Sequence, residues 1–269
     1  MTIRLMHVSD VHAGPPFAAE IAAVVAREAH EYAPDVFVVS GDFVQRADEL
    51  AQWQTITAWL AQTPQPRFLV PGNHDVPLYN VWNRLFNPYV HYTTHISTDL
   101  MPVMHLDGVS LIGANTAFGW TIDGGYLSPA QQAHIRTAAA SAPAGNRRVV
   151  VMHHHLVNAP GVGRRNRVAY PKAIAALLDE CQIDVVMTGH IHLSYVGHTR
   201  DLVPSLARGT IICQAGTATS RRGKGRERHM CAYNTVELSA TQVVIRRHVY
   251  DPSTQKFVVH VEHREELQA

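Results

Sequence analysis

The chain has 269 residues, 46% hydrophobic and 17% charged, with a formal net charge of +1. That length holds a sizeable core, and the balanced charge excludes a global field that would draw the chain to nucleic acid or a membrane surface. Histidine alone is out of proportion: there are 18 of the commonest metal ligand, which is also a physiological acid–base group.

The N-terminus, MTIRLMHVSDVH, lacks the apolar stretch of a signal peptide. It reads instead as a strand from Ile3 to Val8, followed by a helical stretch from Phe17 to Tyr32. Asp35 to Ser40 is a second buried run, with a helical segment after it over Ala47 to Ala61. Arg67 to Val70 is the third. Ser110 to Ala114 comes next, then a helix over Pro129 to Ala140 with Ser128 as its N-cap. Arg148 to Met152 is a buried strand, Pro171 to Cys181 a helix, and Asp184 to Met187 a strand. This strand–helix alternation predicts an α/β fold with a buried sheet. The last third changes character: Thr210 to Gln214, Met230 to Leu238, Gln242 to Tyr250 and Lys256 to Val261 are strands with no room for helices between them. An antiparallel portion is therefore expected beside the parallel one, and without a repeat or linker the whole chain, 1–269, is expected to be a single domain.

The three cysteines, Cys181, Cys213 and Cys231, are widely spaced and include no C-x-x-C pair, so neither a disulfide framework nor a thiolate zinc site is indicated. No apolar run reaches the length of a membrane span. A cytoplasmic location is the expectation.

Each buried run ends in a polar cluster. The first ends in Ser9-Asp10-Val11-His12, the second in Gly41-Asp42, and the third in Gly72-Asn73-His74-Asp75. Arg148 to Met152 ends in His153-His154-His155, and Asp184 to Met187 in Thr188-Gly189-His190-Ile191-His192. Buried polar groups need partners, and ligands of open α/β sheets bind beyond the carboxyl ends of the strands. Five strands thus deliver Asp, His and Asn to one edge, the outline of a polynuclear metal site. A bare H-x-H is expected about once by chance in a chain this rich in histidine, whereas GNHD is expected only ~0.002 times and GHxH roughly 0.08 times.

The ordered blocks Asp10-x-His12, Gly41-Asp42, Gly72 to Asp75, His153 after a buried strand, and Gly189 to His192 resemble the signature of the calcineurin-like metallophosphoesterases. The resemblance spans residues 10 to 192 with every block present. It implies a four-layer α–β–β–α sandwich of two mixed sheets with two metal ions at one end, the all-β tail fitting the second sheet. It further implies that Asp10, His12 and His192 hold one ion, that Asn73, His153 and His190 hold the other, and that Asp42 bridges them. His74 would lie outside the metal shell as general acid, with Asp75 orienting it, while a hydroxide bridging the metals attacks phosphorus. His153 is taken as the ligand of the triple-histidine run; His154 would point to the other side of the strand, and the role of His155 is open. Oxygen and nitrogen ligands without thiolate suit Fe, Mn or Zn.

The serine/threonine phosphatase branch continues its G-D block as GDxVDRG, but this chain reads Gly41-Asp42-Phe43-Val44-Gln45-Arg46-Ala47-Asp48. The chain looks more like the bacterial phosphodiesterases that cleave cyclic nucleotides, glycerophosphodiesters or aryl phosphodiesters. A phosphomonoesterase or nucleotide pyrophosphatase is the alternative; a repair-type nuclease or a non-catalytic scaffold is a weaker match, because the DNA-binding extensions and the ligand losses they need are missing. A small phosphoester is thus the expected partner, with no membrane and no nucleic acid.

Two loops carry clustered cations. Arg164, Arg165 and Arg167 follow the His153 strand and are candidates for holding an anionic substrate; Arg221, Arg222, Lys224, Arg226 and Arg228 read equally as solvated loop charge. Tyr79, Trp82, Phe86, Tyr89 and Tyr92 recur at spacings of three or four, which suits a helix packed in the core or in a homo-oligomer better than a base-stacking platform.

Overall fold

The computed structural model describes residues 1–159 and 167–268. The chain opens a first sheet with β1 (Ile3–Val8), β2 (Val36–Val39) and β3 (Arg67–Leu69), parallel neighbours in that order. It then builds a second sheet from β4 (Val103–Leu106), β5 (Val109–Ala114), β6 (Arg147–Met152), β7 (Val185–Thr188), β8 (Tyr195–His198) and β9 (Ile211–Gln214). Finally it returns to the first sheet with β10 (Ala232–Leu238), β11 (Gln242–Asp251) and β12 (Lys256–Glu266). The strand orders are β12-β11-β10-β1-β2-β3 and β4-β5-β6-β7-β9-β8, and each sheet mixes parallel and antiparallel pairs.

The apolar runs have no polar alternation because both faces of these strands are covered. Ile3, Leu5, Val36 and Val38 of the first sheet meet Val109, Leu111, Val149, Val151, Val185 and Met187 of the second in one core between the sheets. The alternate residues Met6, Val8, Phe37 and Val39 face α1 (Ala19–Tyr32) and α2 (Leu50–Leu60). α3 (Val81–Phe86) and α4 (Val90–His95) follow β3 on the same side of the chain path. Across the second sheet, Ile112, Val150, Met152 and Val186 pack on α5 (Pro129–Ala140) and α6 (Pro171–Glu180). The result is an α–β–β–α stack. Ser128 caps α5 through a reciprocal pair with Gln131, as its spacing predicts.

Three readings of the sequence are corrected. The tail is split: only Ile211–Gln214 joins the second sheet, while β10 pairs antiparallel with β1, Ile3 opposite Leu238, and extends the first. β4 and β8 were not expected. Both are edge strands with partly exposed residues, which removes the apolar run that marks a buried strand. The aromatic series spans two short helices, and Tyr92 alone is fully buried, whereas Tyr79, Trp82 and Phe86 are 62%, 71% and 68% exposed. No helix among the described residues is long and apolar enough to cross a membrane.

Candidate dinuclear metal site

The carboxyl ends of β1, β2, β3, β6 and β7 lie together, and backbone pairs beyond the strands lock their loops. Asp10 N–H donates to Gly41 O at 3.1 Å and His12 N–H to Asp42 O at 3.0 Å, while Gly189 N–H donates to His153 O at 2.9 Å in the second sheet. The sheets are tied across by His190 N–H, which donates to Asp10 Oδ2 at 2.9 Å. Gly72 and Gly189 are required by crowding: a Cβ on Gly72 would stand 2.2 Å from Asp42 Oδ1, and one on Gly189 would stand 1.8 Å from Ser9 Oγ.

Asp10, His12, Asp42, His190 and His192 all have positive φ, between 51° and 76°. Non-glycine residues in this region carry local strain that the surrounding structure must hold, and such strain gathers at functional sites. Here it turns successive side chains toward one point.

Two clusters result. In the first, His12 Nε2 lies 3.0 Å from His192 Nε2, 3.7 Å from Asp10 Oδ1 and 3.6 Å from Asp42 Oδ2. In the second, His153 Nε2 lies 3.3 Å from Asp42 Oδ1, and both it and His190 Nδ1 lie 3.0 Å from Asn73 Oδ1. Asp42 thus turns one oxygen to each cluster. The tautomers of two rings are set from behind: His153 Nδ1–H donates to Ser40 O at 2.8 Å and His192 Nδ1–H to Arg222 O at 3.1 Å. That aims their Nε2 atoms inward.

These groups fit cations better than they fit one another. Asp10 Oδ1 and Asp42 Oδ2 are buried with no hydrogen-bond partner, a costly state unless an ion completes them. Burial alone would raise both carboxyls, but the surrounding imidazoles, His192 and His12 beside Asp10 and His153 and His74 beside Asp42, hold them well below the usual carboxylate range. Burial drives the His12 imidazole down to about 3, so it stays a neutral ligand. Six oxygen- and nitrogen-bearing side chains plus a shared carboxylate could hold two ions of the Fe, Mn or Zn kind.

His74 stands at the rim. Its Nδ1–H donates to Gln45 O at 2.8 Å, and its ring meets the His12 ring edge-on at 4.8 Å. Asp75 does not orient it. The Asp75 carboxylate instead accepts from the backbone N–H groups of Gly72, Asp42, Phe43 and Val44 at 2.8–3.2 Å and pins the loops after β2 and β3 together. Burial and the Asp42 charge push the Asp75 carboxyl up to about 8, against those four donors. A cation on Asp42 would cancel the repulsion and leave a donor-saturated carboxylate. Asp75→Asn, which must aim an NH₂ at some of these donors, is expected to lower stability by about 2–4 kcal/mol. Urea unfolding checks this, and a loss below about 1 kcal/mol would show that the clamp carries no weight.

His154 places Nδ1 2.8 Å from Thr116 Oγ1, but its ring lies against His190 at 4.5 Å between centroids, so strand alternation does not carry it clear of the site. His155 pairs with Asn158 Oδ1 at 3.1 Å and stacks on His190, 5.7 Å between centroids. Of the first arginine cluster, Arg164 and Arg165 lie outside the described residues; Arg167 is partly buried, and its carbonyl accepts from Gly125 N–H at 3.3 Å. In the second basic loop Arg221, Lys224, Arg226 and Arg228 are exposed, as the solvated reading expects, and Arg222 alone is partly buried. Arg222 bonds the Gln45 side chain while its carbonyl holds His192, and the buried Glu227 accepts from Ser194 and pairs with Arg247 at 2.9 Å.

Beside Asn73 and His74 opens a cleft walled by Gln45, Arg46, Leu78, Tyr79, Arg84, Ile122 and Asp123. The side chains of Gln45, Arg84 and Ile122 were missed because nothing in their local sequence marks them. A family model, that of the calcineurin-like phosphoesterases, matches residues 3–194. The chain belongs to the calcineurin-like phosphoesterase family. Among curated proteins, none matches the chain. Among solved structures, it is similar to the purple acid phosphatase PPD1 of yellow lupin (Lupinus luteus) seeds, with a TM-score of 0.72 at 13% identity, covering 99% of this chain and 54% of that one. It therefore spans about half the length of the lupin enzyme. It is also similar to PhoD (TM-score 0.75, 11% identity, 98% of this chain and 70% of that one). A third likeness is to GAP50, the anchor in the inner membrane complex of Plasmodium (TM-score 0.65, 14% identity, 100% and 90%). At these identities the likenesses speak for the fold alone.

Proposed function

We propose that this calcineurin-like phosphoesterase is a dinuclear-metal hydrolase of small phosphodiesters. The observation that carries the reading is the Asp42 carboxylate divided between two buried ligand clusters, with His74 at their rim. Asp10, His12, Asp42 and His192 would hold one ion, and Asn73, His153, His190 and the other oxygen of Asp42 the second. Two ions so placed supply Lewis-acid polarisation of phosphoryl oxygens and water that ionises near neutral pH.

The chain's own residues supply the rest. His74, fixed at Nδ1 by Gln45 O, exchanges a proton at Nε2 with the departing oxygen. Asp75 keeps the two loops that carry Asp42 and His74 at a fixed separation. The cleft between Tyr79 and Ile122 leaves space for the departing alcohol beside His74. A diester is favoured because Gly41-Asp42 does not continue as the GDxVDRG of the serine/threonine phosphatase branch.

Hydrolysis of mono-, di- and cyclic phosphoesters by metal-loaded and chelated protein tests this. Diester hydrolysis that vanishes on chelation and returns with Mn, Zn or Fe is expected. A tenfold or greater preference for monoesters would replace the reading with phosphomonoesterase, and hydrolysis unaffected by exhaustive chelation would remove the metals from it.

A further inference from the structure

Eight of the fifteen large apolar residues that are exposed among the described residues fall within 78–86 and 120–122. Tyr79, Trp82 and Phe86 come from the stretch around α3, and Trp120 and Ile122, 73% and 62% exposed, from the facing loop. A stretch of chain this apolar is costly to leave in water and marks a place where something binds. Here its position identifies the occupant.

The patch is one surface with the cleft. Tyr79 and Ile122 line the cleft beside His74, and Asn73 Nδ2 donates to Ile122 O at 3.3 Å, so this loop starts at the metal site itself. The buried Arg84 fixes the loop to α3, donating to Thr121 O at 2.5 Å and to Pro77 O at 2.7 Å. Trp82 and Phe86 pack against each other at 4.4 Å with their planes tilted by 43°, a ridge rather than the open parallel face that stacks a base.

We infer that this surface receives the apolar body of the leaving alcohol, so that the preferred substrates are phosphodiesters with a hydrocarbon substituent on the His74 side. The inference rests on the phosphodiesterase reading, because a phosphoryl group on the two clusters puts the departing oxygen at His74 and whatever that oxygen carries into this cleft. Tyr79 and Ile122 would hold the first carbons, and Trp82 those further out. The effect is one of uniform binding: it lowers KM for long substituents and acts little on kcat.

The test uses binding, so that it stands apart from turnover. Methyl, butyl and octyl members of a methyl(alkyl)phosphinate series carry one negative charge and only P–C bonds, and cannot be hydrolysed. Titrated into metal-loaded protein, they should tighten by about twofold per methylene, half of what full burial gives, or on the order of 100-fold from methyl to octyl. Trp82→Ser and Ile122→Ser, at sites too exposed to threaten the fold, should each flatten that dependence with metal content unchanged. Equal affinity across the series, or a dependence that survives both variants, overturns the inference. A ligand-independent dimer in sedimentation that Trp82→Ser dissociates overturns it in favour of a second copy of the chain. Chain-length-dependent binding without any diester hydrolysis would sink the proposed function and leave this surface assigned.

Discussion

His74→Ala is expected to lower kcat/KM for alkyl and cyclic nucleotide diesters by about 10²–10⁴-fold, roughly 3–5 kcal/mol of barrier, and to cost far less on a p-nitrophenyl diester. The difference follows from the division of labour at the site. Cations neutralise phosphoryl oxygens but have no proton to give. Ribose, glycerol and alkyl oxygens are strongly basic and need one as they leave, whereas p-nitrophenolate departs as a stable anion. His74 is built for that single task. Its Nδ1 is committed to Gln45 O, so Nε2 is the atom left to carry and return a proton. It also lies outside both ligand clusters, and its nearest ring is His12 at 4.8 Å. Metal content should therefore be unchanged in the variant. Equal losses on alkyl and aryl substrates would make His74 a positioning group, and loss of an ion would make it a ligand.

The candidate ligands stood out because each follows an apolar run, while their division between two ions came from the resemblance. A polar residue at such a point must find a partner, and five such points in one chain have each other. The glycines beside them came with the motifs, and in the structure a Cβ on Gly72 or Gly189 would run into Asp42 Oδ1 or Ser9 Oγ. What holds the ligands in place was not legible, because it comes from far along the chain. The carbonyl behind His192 belongs to Arg222, and Thr217 Oγ1–H, which steadies the first loop, donates to Asp10 O at 2.8 Å across 207 positions. Asp75 misled in another way. The resemblance implied that it orients His74, yet a three-residue 3₁₀ turn points its carboxylate back at the Gly72 and Asp42 amides. The tail was read correctly as strands, but β10 to β12 were placed in the wrong sheet, since apolar alternation does not say which sheet a strand joins. The aromatics around Trp82 were read as packed in the core or in a homo-oligomer, because helical spacing does not say what covers them.

Asp42→Asn is expected to reduce the metal bound after dialysis from two equivalents to one, and to slow diester hydrolysis by at least about 10³-fold, ~4 kcal/mol. The charges of the two clusters decide which ion goes. Asp10, His12 and His192 keep one carboxylate when Asp42 is neutralised, so a dication there still has an anionic ligand. Asn73, His153 and His190 have none: Asp42 Oδ1, 3.3 Å from His153 Nε2, is their only negative group. Three neutral ligands at the end of buried strands cannot offset the desolvation of a divalent ion. The substituted side chain keeps the volume and the carbonyl that accepts His74 N–H at 2.9 Å, so the loop should hold its shape. His153 supplies a second reading of the same change. Burial opposes its protonation, yet the Asp42 charge lifts it to about 9. The Asp42→Asn substitution removes that support, and in metal-free variant protein the ring should titrate well below 9, visible by NMR of its Hε1 proton. Two full equivalents of metal and an undiminished rate in Asp42→Asn would mean that the clusters bind their ions separately, with no shared carboxylate between them.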